Sequence, residues 1–330
     1  MVHSIKTLNE EGIRQWEMIS KHYSDCPLLL GNGFSLNFST TLRYHNLYEN
    51  FVENCTLDSK KLFDEFGSHN FETILEHLES TERVSKALNI EYTIVSENKE
   101  TIKQGLIESI NRIHPTPDDI DKLKIKKIAN QVKEFSQIFT TNYDLFLYYI
   151  IIDSNKFGDY FYYLFFDDER FQLFNSGDSN KNNHIYFLHG ALFLFEKSIN
   201  VIKIKKNEKN WLIDVITNEI KENNYPLFIS EGTSDMKLKA IQSNKYLSYC
   251  FRNLKENKYK EVVIYGHSLS SQDSHIIKIL DEKYDRIAFG IRISKNKSIY
   301  DLRSEISKIK SLFKKTEIDF YDSSSLFNFD

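Results

Sequence analysis

Short apolar runs recur along the chain, and a glycine or polar turn and then a helical stretch follow each of them. Several runs are apolar on both faces, which is typical of parallel strands covered by helices. This alternation predicts a doubly wound α/β sheet. The predicted strands are PLLLG (27–31), SQIFTTN (136–142), HIYFLHG (184–190), PLFISEG (226–232), VVIYG (262–266), IAFGIRI (287–293) and EIDFYD (317–322).

Two segments depart from this alternation. Residues 36–134 contain no convincing strand, and the stretch NFETILEHLESTERVSKAL (70–88) carries apolar residues at helical spacing, which predicts a mainly helical insertion. Residues 155–210 are aromatic and polar by turns and predict extra strands or a small β-rich lobe. We expect one domain over residues 1–330, with both segments inside it.

Composition narrows the classes of function. The chain has 330 residues, 41% of them hydrophobic, and a formal net charge of −4, so neither nucleic-acid binding nor binding to an anionic membrane is indicated. Cys26, Cys55 and Cys250 form no C-x-x-C pair, so we predict no metal and no disulfide framework. The first residues lack the apolar core of a signal peptide and no apolar run reaches membrane-spanning length, which predicts a cytoplasmic protein.

Small, polar and titratable residues follow four of the predicted strands. Because the carboxyl ends of parallel strands meet at one edge of a sheet, we expect these residues to line one crevice. Glycine lets a backbone or a ligand approach closely, so Gly-Asn-Gly after a buried strand proposes a nucleotide site. The four groups are GNGFS (31–35), TTNYD (140–144), LHG (188–190) and YGHSL (265–269).

Each group also has a purely structural interpretation. GNGFS is an ordinary tight turn in many proteins, and Asn142 is a good cap for a following helix. His189 lies in an apolar neighbourhood and fits a hydrogen-bonded core histidine, and the polar residues 270–273 suit a helix start. The four groups in this order are more specific than any one of them.

In this order the motifs resemble those of the sirtuin family, whose sheet is Rossmann-like. The resemblance covers residues 27 to about 275, and in detail the chain is similar to bacterial sirtuin-like proteins related to NAD-consuming effectors of antiphage defence. The matching residues are Gly31, Gly33 and Ser35, then Thr140, Asn142 and Asp144, then His189 and Gly190, and finally Gly266, Ser268 and Leu269.

The chain departs from protein-deacylating sirtuins in one respect. Those enzymes carry a four-cysteine zinc module after the histidine, and nothing similar occurs here between residues 190 and 262. This argues against deacylation and leaves NAD binding and cleavage. GTS at 232–234 also matches the wording of the last sirtuin motif, but the context of YGHSL matches better. We interpret GTS as a strand-to-helix turn, with Lys237 or Lys239 near a phosphate as the alternative.

The resemblance implies an NAD glycohydrolase that cleaves the nicotinamide–ribose bond with NAD as its substrate and without a metal. Asn142, His189 and Asp144 are then the catalytic residues, with Asn142 holding a ribose hydroxyl or a water and His189 acting as the base. The residues implied in nucleotide binding are Gly31, Asn32, Gly33, Phe34, Ser35, Thr140, Thr141, Gly190, Gly266, His267 and Ser268.

Other functions stay open at this point. A module that senses NAD or a related nucleotide without turnover has the same motifs, as does an ADP-ribosyl transferase. An interaction subunit, in a homo-oligomer or with a defence-system partner protein, is compatible with all of these functions. A phosphate-ester enzyme ranks lower, because no paired carboxylates lie near these loops in a metal-binding context.

Overall fold

The computed structural model describes most of the chain. The residues described are 4–38, 51–52, 55–67, 71–114, 121–154, 157–158, 161–163, 169–171, 183–197, 200–205, 212–221, 224, 226–229, 233–294 and 296–327. Parts of the predicted insertion (36–134), parts of the predicted lobe (155–210) and Gly232 therefore lie outside the described residues. Within the described ranges, no helix combines the length and the apolar character needed to cross a membrane.

The strands of the described residues form two sheets. They are β1 (Ile13–Arg14), β2 (Leu28–Leu30), β3 (Gln137–Thr140), β4 (Phe157–Gly158), β5 (Phe161–Tyr163), β6 (Glu169–Phe171), β7 (Asn183–Phe187), β8 (Gly190–Lys197), β9 (Asn200–Lys203), β10 (Pro226–Phe228), β11 (Glu261–Tyr265), β12 (Arg286–Ile291) and β13 (Glu317–Asp322).

The larger sheet has eight strands in the order β1-β13-β12-β11-β2-β3-β7-β4, and every neighbouring pair is parallel. Its central strand, β2, consists of three leucines that are fully buried. A strand that is apolar on both faces needs cover on both sides, which helices provide in α/β proteins. The predicted α/β class with a parallel sheet is confirmed.

Helices account for most of the remaining described residues. They are α1 (Ile5–Glu10), α2 (Trp16–Ile19), α3 (Asn32–Ser35), α4 (Leu57–Phe66), α5 (Phe71–Leu88), α6 (Thr93–Ile113), α7 (Lys122–Val132), α8 (Phe146–Ser154), α9 (Leu212–Lys221), α10 (Ser234–Ser243), α11 (Lys245–Glu256), α12 (Ser274–Lys283) and α13 (Ile299–Leu312). The segment between β2 and β3 contributes α3 to α7, and Ile74, Leu75, Ile102 and Leu106 join the same buried cluster as the sheet.

The smaller sheet has five strands in the order β10-β8-β9-β6-β5, and its pairs are antiparallel. Four of its strands come from the segment 155–210, whereas β4 and β7 of that segment belong to the larger sheet. The predicted strand at 226–232 also differs from its expected place, since β10 pairs with β8. The chain passes from β7 directly into β8 through a turn at Leu188 and His189, so this turn joins the two sheets.

The beginning and the end of the described chain lie side by side. The edge strand β1 pairs with β13, with Ile13 opposite Phe320. The backbone N–H of Trp16 donates to Ser325 Oγ at 2.8 Å, and the Arg303 guanidinium donates two hydrogen bonds to the Glu11 carboxylate. One edge of the larger sheet is therefore built from residues that are distant in sequence.

Candidate functional site

The order of strands brings the predicted motifs to one edge. From β2 the chain continues to β3 and β7 on one side, whereas β11, β12 and β13 lie on the other side. Ligands of open α/β sheets bind outside the carboxyl ends of strands at such a reversal of strand order. Four adjacent strands, β2, β3, β7 and β11, carry at their carboxyl ends the motifs GNGFS (31–35), TTNYD (140–144), LHG (188–190) and YGHSL (265–269).

The two glycines after β2 contact the loop after β11. A Cβ atom on Gly31 would lie 2.5 Å from the Cα of His267, and one on Gly33 would lie 2.7 Å from the Cα of Gly266. The N–H of Gly33 donates to the carbonyl of Gly266 at 2.8 Å, and that of Gly31 donates to Tyr265 at 3.0 Å. Close packing of two backbones therefore accounts for both glycines, and these two N–H groups are already bonded within the protein.

Asn142, Ser35 and Asp144 form a buried hydrogen-bonded chain. The Nδ2 group of Asn142 donates to the carbonyl of Gly31 and to Ser35 Oγ, both at 3.0 Å. The Ser35 hydroxyl donates in turn to Asp144 Oδ2 at 2.5 Å. Hydrogen bonds between side chains thus connect three residues of the two motifs at the carboxyl ends of β2 and β3.

The orientation of the Asn142 amide follows from its partners. A backbone carbonyl only accepts, so the side facing the carbonyl of Gly31 must be the NH₂ group. The backbone N–H of Asn142 also donates to Thr140 Oγ1 at 3.0 Å, which fixes the turn after β3. Among the described residues no group donates to Asn142 Oδ1, so this oxygen can accept a hydrogen bond from a ligand.

Asp144 is buried, and burial raises the pKa of its carboxyl group to about 6, against the lowering effect of the Ser35 hydroxyl. Its Oδ1 accepts from the N–H of Phe146 at 2.9 Å, at the start of α8. The next N–H, that of Leu145, donates to Nε2 of the buried His114 at 2.9 Å. His114 follows α6, so the helical segment before β3 contributes directly to holding this turn.

His189 lies in the turn that joins the two sheets and is 3% exposed. Its carbonyl accepts from the N–H of Ile229 at 2.8 Å, just after β10. The following Gly190 has φ +77°, and a Cβ atom there would lie 2.1 Å from the carbonyl oxygen of Leu227. Only glycine fits this turn, which explains the His-Gly pair in the sequence.

His189 contacts a second buried histidine. Its Nε2 atom lies 3.4 Å from Nε2 of His275, which is on the first turn of α12. The other ring nitrogen of His275, Nδ1, lies 2.9 Å from Ser234 Oγ, and this oxygen also accepts from the backbone N–H of His275 at 2.7 Å. Ser234 is the first residue of α10, which Thr233 caps through its side chain.

A buried ion pair lies beside these histidines. The Lys237 ammonium, which is 1% exposed, lies 3.3 Å from Asp273 Oδ1. His267 Nε2 lies 3.9 Å from Asp273 Oδ2 and is buried without a hydrogen-bond partner, while its Nδ1 accepts from the N–H of Leu269 at 3.0 Å. The cluster therefore combines three imidazoles, one carboxylate and one ammonium.

These surroundings keep the histidines neutral. Burial lowers the pKa of His189 well below its usual range, and the Lys237 charge lowers it further. Burial also lowers the pKa of His267, and it lowers that of His275 to about 4. The Lys237 charge holds the pKa of Asp273 below its ordinary value, despite the burial that opposes this. At neutral pH the cluster carries one negative and one positive charge.

The cluster also contains metal-ligating atoms, although the sequence predicts no metal. One ligand atom each from His189, Asp273 and His275 lies within 4.8 Å of the other two. Two imidazoles and a carboxylate are a donor set that divalent transition metals accept. Lys237, however, already supplies the cation that neutralises Asp273, and a divalent ion added here would leave a net positive charge of about two in a buried site.

Other predicted residues take different places. The Phe34 side chain is fully buried and packs against Tyr265 and Phe327, and its N–H donates to the carbonyl of Gly31 at 3.0 Å, so it belongs to the core. Thr140 is fully buried, Asn32 and Thr141 are half-buried, and Ser268 is exposed.

Sequence reasoning missed four residues of the cluster as site residues. It offers Lys237 only as an alternative phosphate contact, it places Ser234 in a turn and Asp273 at a helix start, and it assigns nothing to His275. Their local patterns are those of helix N-termini, since Asp273 is the residue before α12 and His275 is the second residue of that helix. A carboxylate and an imidazole two residues apart, soon after a strand end, are the signal in the sequence that could have pointed to them.

The sequence of the chain matches a known family model. The family model described as a domain of unknown function, DUF4917, matches residues 28–327. Among the described strands this range includes all except β1, and it includes every residue of the site described above. No curated protein matches the chain.

Proposed function

The chain belongs to the DUF4917 family, and from the geometry of its site we propose that it binds NAD at the carboxyl edge of the parallel sheet and hydrolyses the nicotinamide–ribose bond. One observation carries the proposal. An oriented amide, Asn142, and a neutral buried imidazole, His189, follow the neighbouring strands β3 and β7, next to the reversal of strand order at β2.

The reaction needs little from the protein beyond positioning. Nicotinamide leaves as a neutral ring, so the positive charge develops on the ribose and the transition state resembles an oxocarbenium ion. Such a reaction is promoted by a fixed ribose, a site shielded from bulk water and one positioned water molecule. Asn142 Oδ1 can accept from a ribose hydroxyl or from that water, because the Nδ2 hydrogens are bonded to Gly31 and Ser35.

His189 has the properties of a general base in this reaction. An imidazole that is neutral at pH 7 can take a proton from water or from a ribose hydroxyl. Its Nε2 faces His275, and among the described residues no group bonds to its Nδ1. In the proposed complex, Nδ1 is the atom that faces the substrate.

The sequence suggests that Gly31 and Gly33 bind the diphosphate through their own N–H groups, but in this proposal they have a structural role instead. Because the N–H groups of Gly31 and Gly33 are bonded to the loop after β11, these two groups do not hold the diphosphate. The glycines bring the two loops together, and the exposed hydroxyl of Ser268 lies on one of those loops. We expect Ser268 to contact the diphosphate or the ribose.

Release of nicotinamide from NAD tests the proposal. A general base contributes about 10² to 10⁴ in rate, so His189→Ala and Asn142→Ala should each lose about that much turnover while NAD affinity stays within about tenfold. If both residues act on one water or hydroxyl, the double variant should be little worse than either single one. Turnover is followed by chromatography of nicotinamide, affinity by calorimetry and folding by circular dichroism.

The matched control is His22→Ala, because His22 is exposed and lies outside the site. His267 is unsuitable as a control, since it lies 3.9 Å from Asp273 in the same cluster. Full turnover in the His189→Ala protein would overturn the assignment of the base. NAD binding without nicotinamide release by the wild type would favour a nucleotide sensor, and absence of NAD binding would refute the proposal.

A further inference from the structure

We propose that His189, His275 and Ser234 form a relay that moves one proton between the crevice and the start of α10. Its part in turnover rests on the proposed function, whereas its existence as a hydrogen-bonded unit does not. The carrying observation is an unbroken series of contacts, 3.4 Å between the two Nε2 atoms and 2.9 Å from His275 Nδ1 to Ser234 Oγ.

The two hydrogen bonds link the protonation of both rings. A neutral imidazole carries one N–H and one acceptor nitrogen, so one of the two facing Nε2 atoms, and only one, must hold the hydrogen that they share. If His275 Nε2 holds it, His275 Nδ1 accepts from the Ser234 hydroxyl and His189 carries its hydrogen on Nδ1. If His189 Nε2 holds it, His275 Nδ1 donates to Ser234 and His189 Nδ1 has a free lone pair. In either arrangement the two histidines are opposite tautomers.

The rest of the cluster favours transfer without a lasting charge. Lys237 and Asp273 neutralise each other, and burial disfavours a charged imidazole at either position. Ser234 is partly exposed, so the relay ends at a residue that borders the solvent. Its position is fixed from two sides, because Thr233 caps the same helix and the N–H of His275 donates to Ser234 Oγ.

In the proposed reaction the proton balance is complete. Water gives its proton to His189 Nδ1, and its oxygen bonds to C1′ of the ribose. The C1′–N bond breaks, and nicotinamide leaves with the electron pair. His189 Nε2 passes its hydrogen to His275 Nε2, His275 Nδ1 passes one to Ser234, and Ser234 releases one to solvent. One water and one NAD thus give ADP-ribose, nicotinamide and one proton.

Nitrogen-15 NMR of the imidazoles tests the relay without any substrate. We expect His189 and His275 in the labelled wild-type protein to be opposite tautomers. Ser234→Ala should shift the ¹⁵N resonances of the His189 ring as well as those of His275, although the hydrogen bonds of Ser234 to this pair are made only to His275. Ser234→Thr, which keeps the hydroxyl, should preserve the wild-type pattern. Ser243→Ala, at the other end of α10, is the matched control.

Three results would overturn the relay: identical tautomers at both histidines, a His189 spectrum unchanged by Ser234→Ala, or stoichiometric metal bound between the two rings in the purified protein.

The part of the relay in turnover is tested with His275→Phe, which keeps a ring beside Phe251. We expect nicotinamide release to fall about 10- to 100-fold with unchanged NAD affinity. If the wild type releases no nicotinamide, the proposed function fails, and the tautomer result still decides the relay.

Discussion

At the scale of single residues, the chain from Asn142 through Ser35 to Asp144 shows how a buried polar group can be held in one orientation. Each donor in it has an acceptor at 2.5 to 3.0 Å, and both ends are tied to backbone groups, Gly31 and Phe146. Buried networks of this kind are rigid when every member is bonded. The exception is Asn142 Oδ1, which is the atom that we assign to the ligand.

Asp144→Asn should change how stability depends on pH. The carboxyl pKa is about 6 in the folded protein, whereas an aspartate in the unfolded chain has its ordinary value of 3.8. The folded state therefore binds more protons between these pH values, and the wild type loses stability as pH rises through this window. An asparagine mimics the neutral acid and does not titrate. The free energy of unfolding of the variant, relative to that of the wild type, should therefore rise by on the order of 2–3 kcal/mol from about pH 3.5 to pH 7. Urea unfolding at a series of pH values measures the difference.

Asp58→Asn serves as the comparison, because Asp58 is exposed on α4 and its ion pair with Lys61 lies in solvent. We expect its effect to stay within about 1 kcal/mol across the same pH range. A constant difference between wild type and Asp144→Asn would show that Asp144 titrates normally and is not desolvated.

At the scale of elements, the turns between strands and helices carry the strongest constraints. Gly190 combines a positive φ with a backbone contact, whereas Gly12 has a similar φ of +81° and no atom within 4 Å of a built Cβ. At Gly12 only the backbone conformation requires glycine. At Gly190 both the conformation and the lack of space for a Cβ atom require it.

Gly12→Ala should cost about 1 kcal/mol, the penalty for a left-handed alanine. Gly190→Ala should cost about 3 kcal/mol or more, because its Cβ meets the carbonyl oxygen of Leu227 at 2.1 Å and must push β10 away from β8. Urea midpoints of the two variants give the comparison. Equal losses would mean that the turn at His189 adjusts freely, which would weaken the idea of a rigidly placed base.

The sequence predicted the position of apolar strands such as β2 better than the sheet to which a strand belongs. An apolar run such as LLL at β2 needs burial on both faces whatever its neighbours are, so it is visible locally. PLF at β10 is equally apolar, but nothing in it distinguishes a parallel from an antiparallel partner, and it joins the smaller sheet.

The unpredicted part of the site depends on contacts between distant elements. Ser234 and His275 each lie in the first turn of a helix, and a good helix start explains either residue alone. Only the packing of α10 against α12 brings Ser234 to the His275 ring. Asn142 and His189 were identifiable as candidates because glycines and strand ends surround them in the sequence.

At the scale of the whole molecule, the buried histidines make the fold sensitive to acid. The pKa values of His189, His267 and His275 are all lowered by burial, that of His275 to about 4. The unfolded chain therefore binds more protons between about pH 4 and the usual histidine value of about 6.5. Stability is present above this window and is lost as pH falls through it.

We expect the free energy of unfolding at pH 5 to lie about 2 kcal/mol or more below that at pH 7, even though Asp144 acts in the opposite direction. Urea unfolding at both pH values measures this difference. His275→Phe removes one of the three groups and should reduce it. A protein that is equally stable at both pH values would contradict neutral, buried imidazoles in this cluster.

The pairing of β1 with β13 has a consequence for synthesis on the ribosome. Roughly 300 residues separate these two strands in the chain, so β1 leaves the exit tunnel long before its neighbour in the sheet exists. At about 5–20 residues per second, this delay lasts on the order of 15 to 60 seconds. Throughout that time Ile13, which is fully buried in the finished fold, has no strand to pair with. The emerging chain must therefore be kept from aggregation at β1 until β13 has been made.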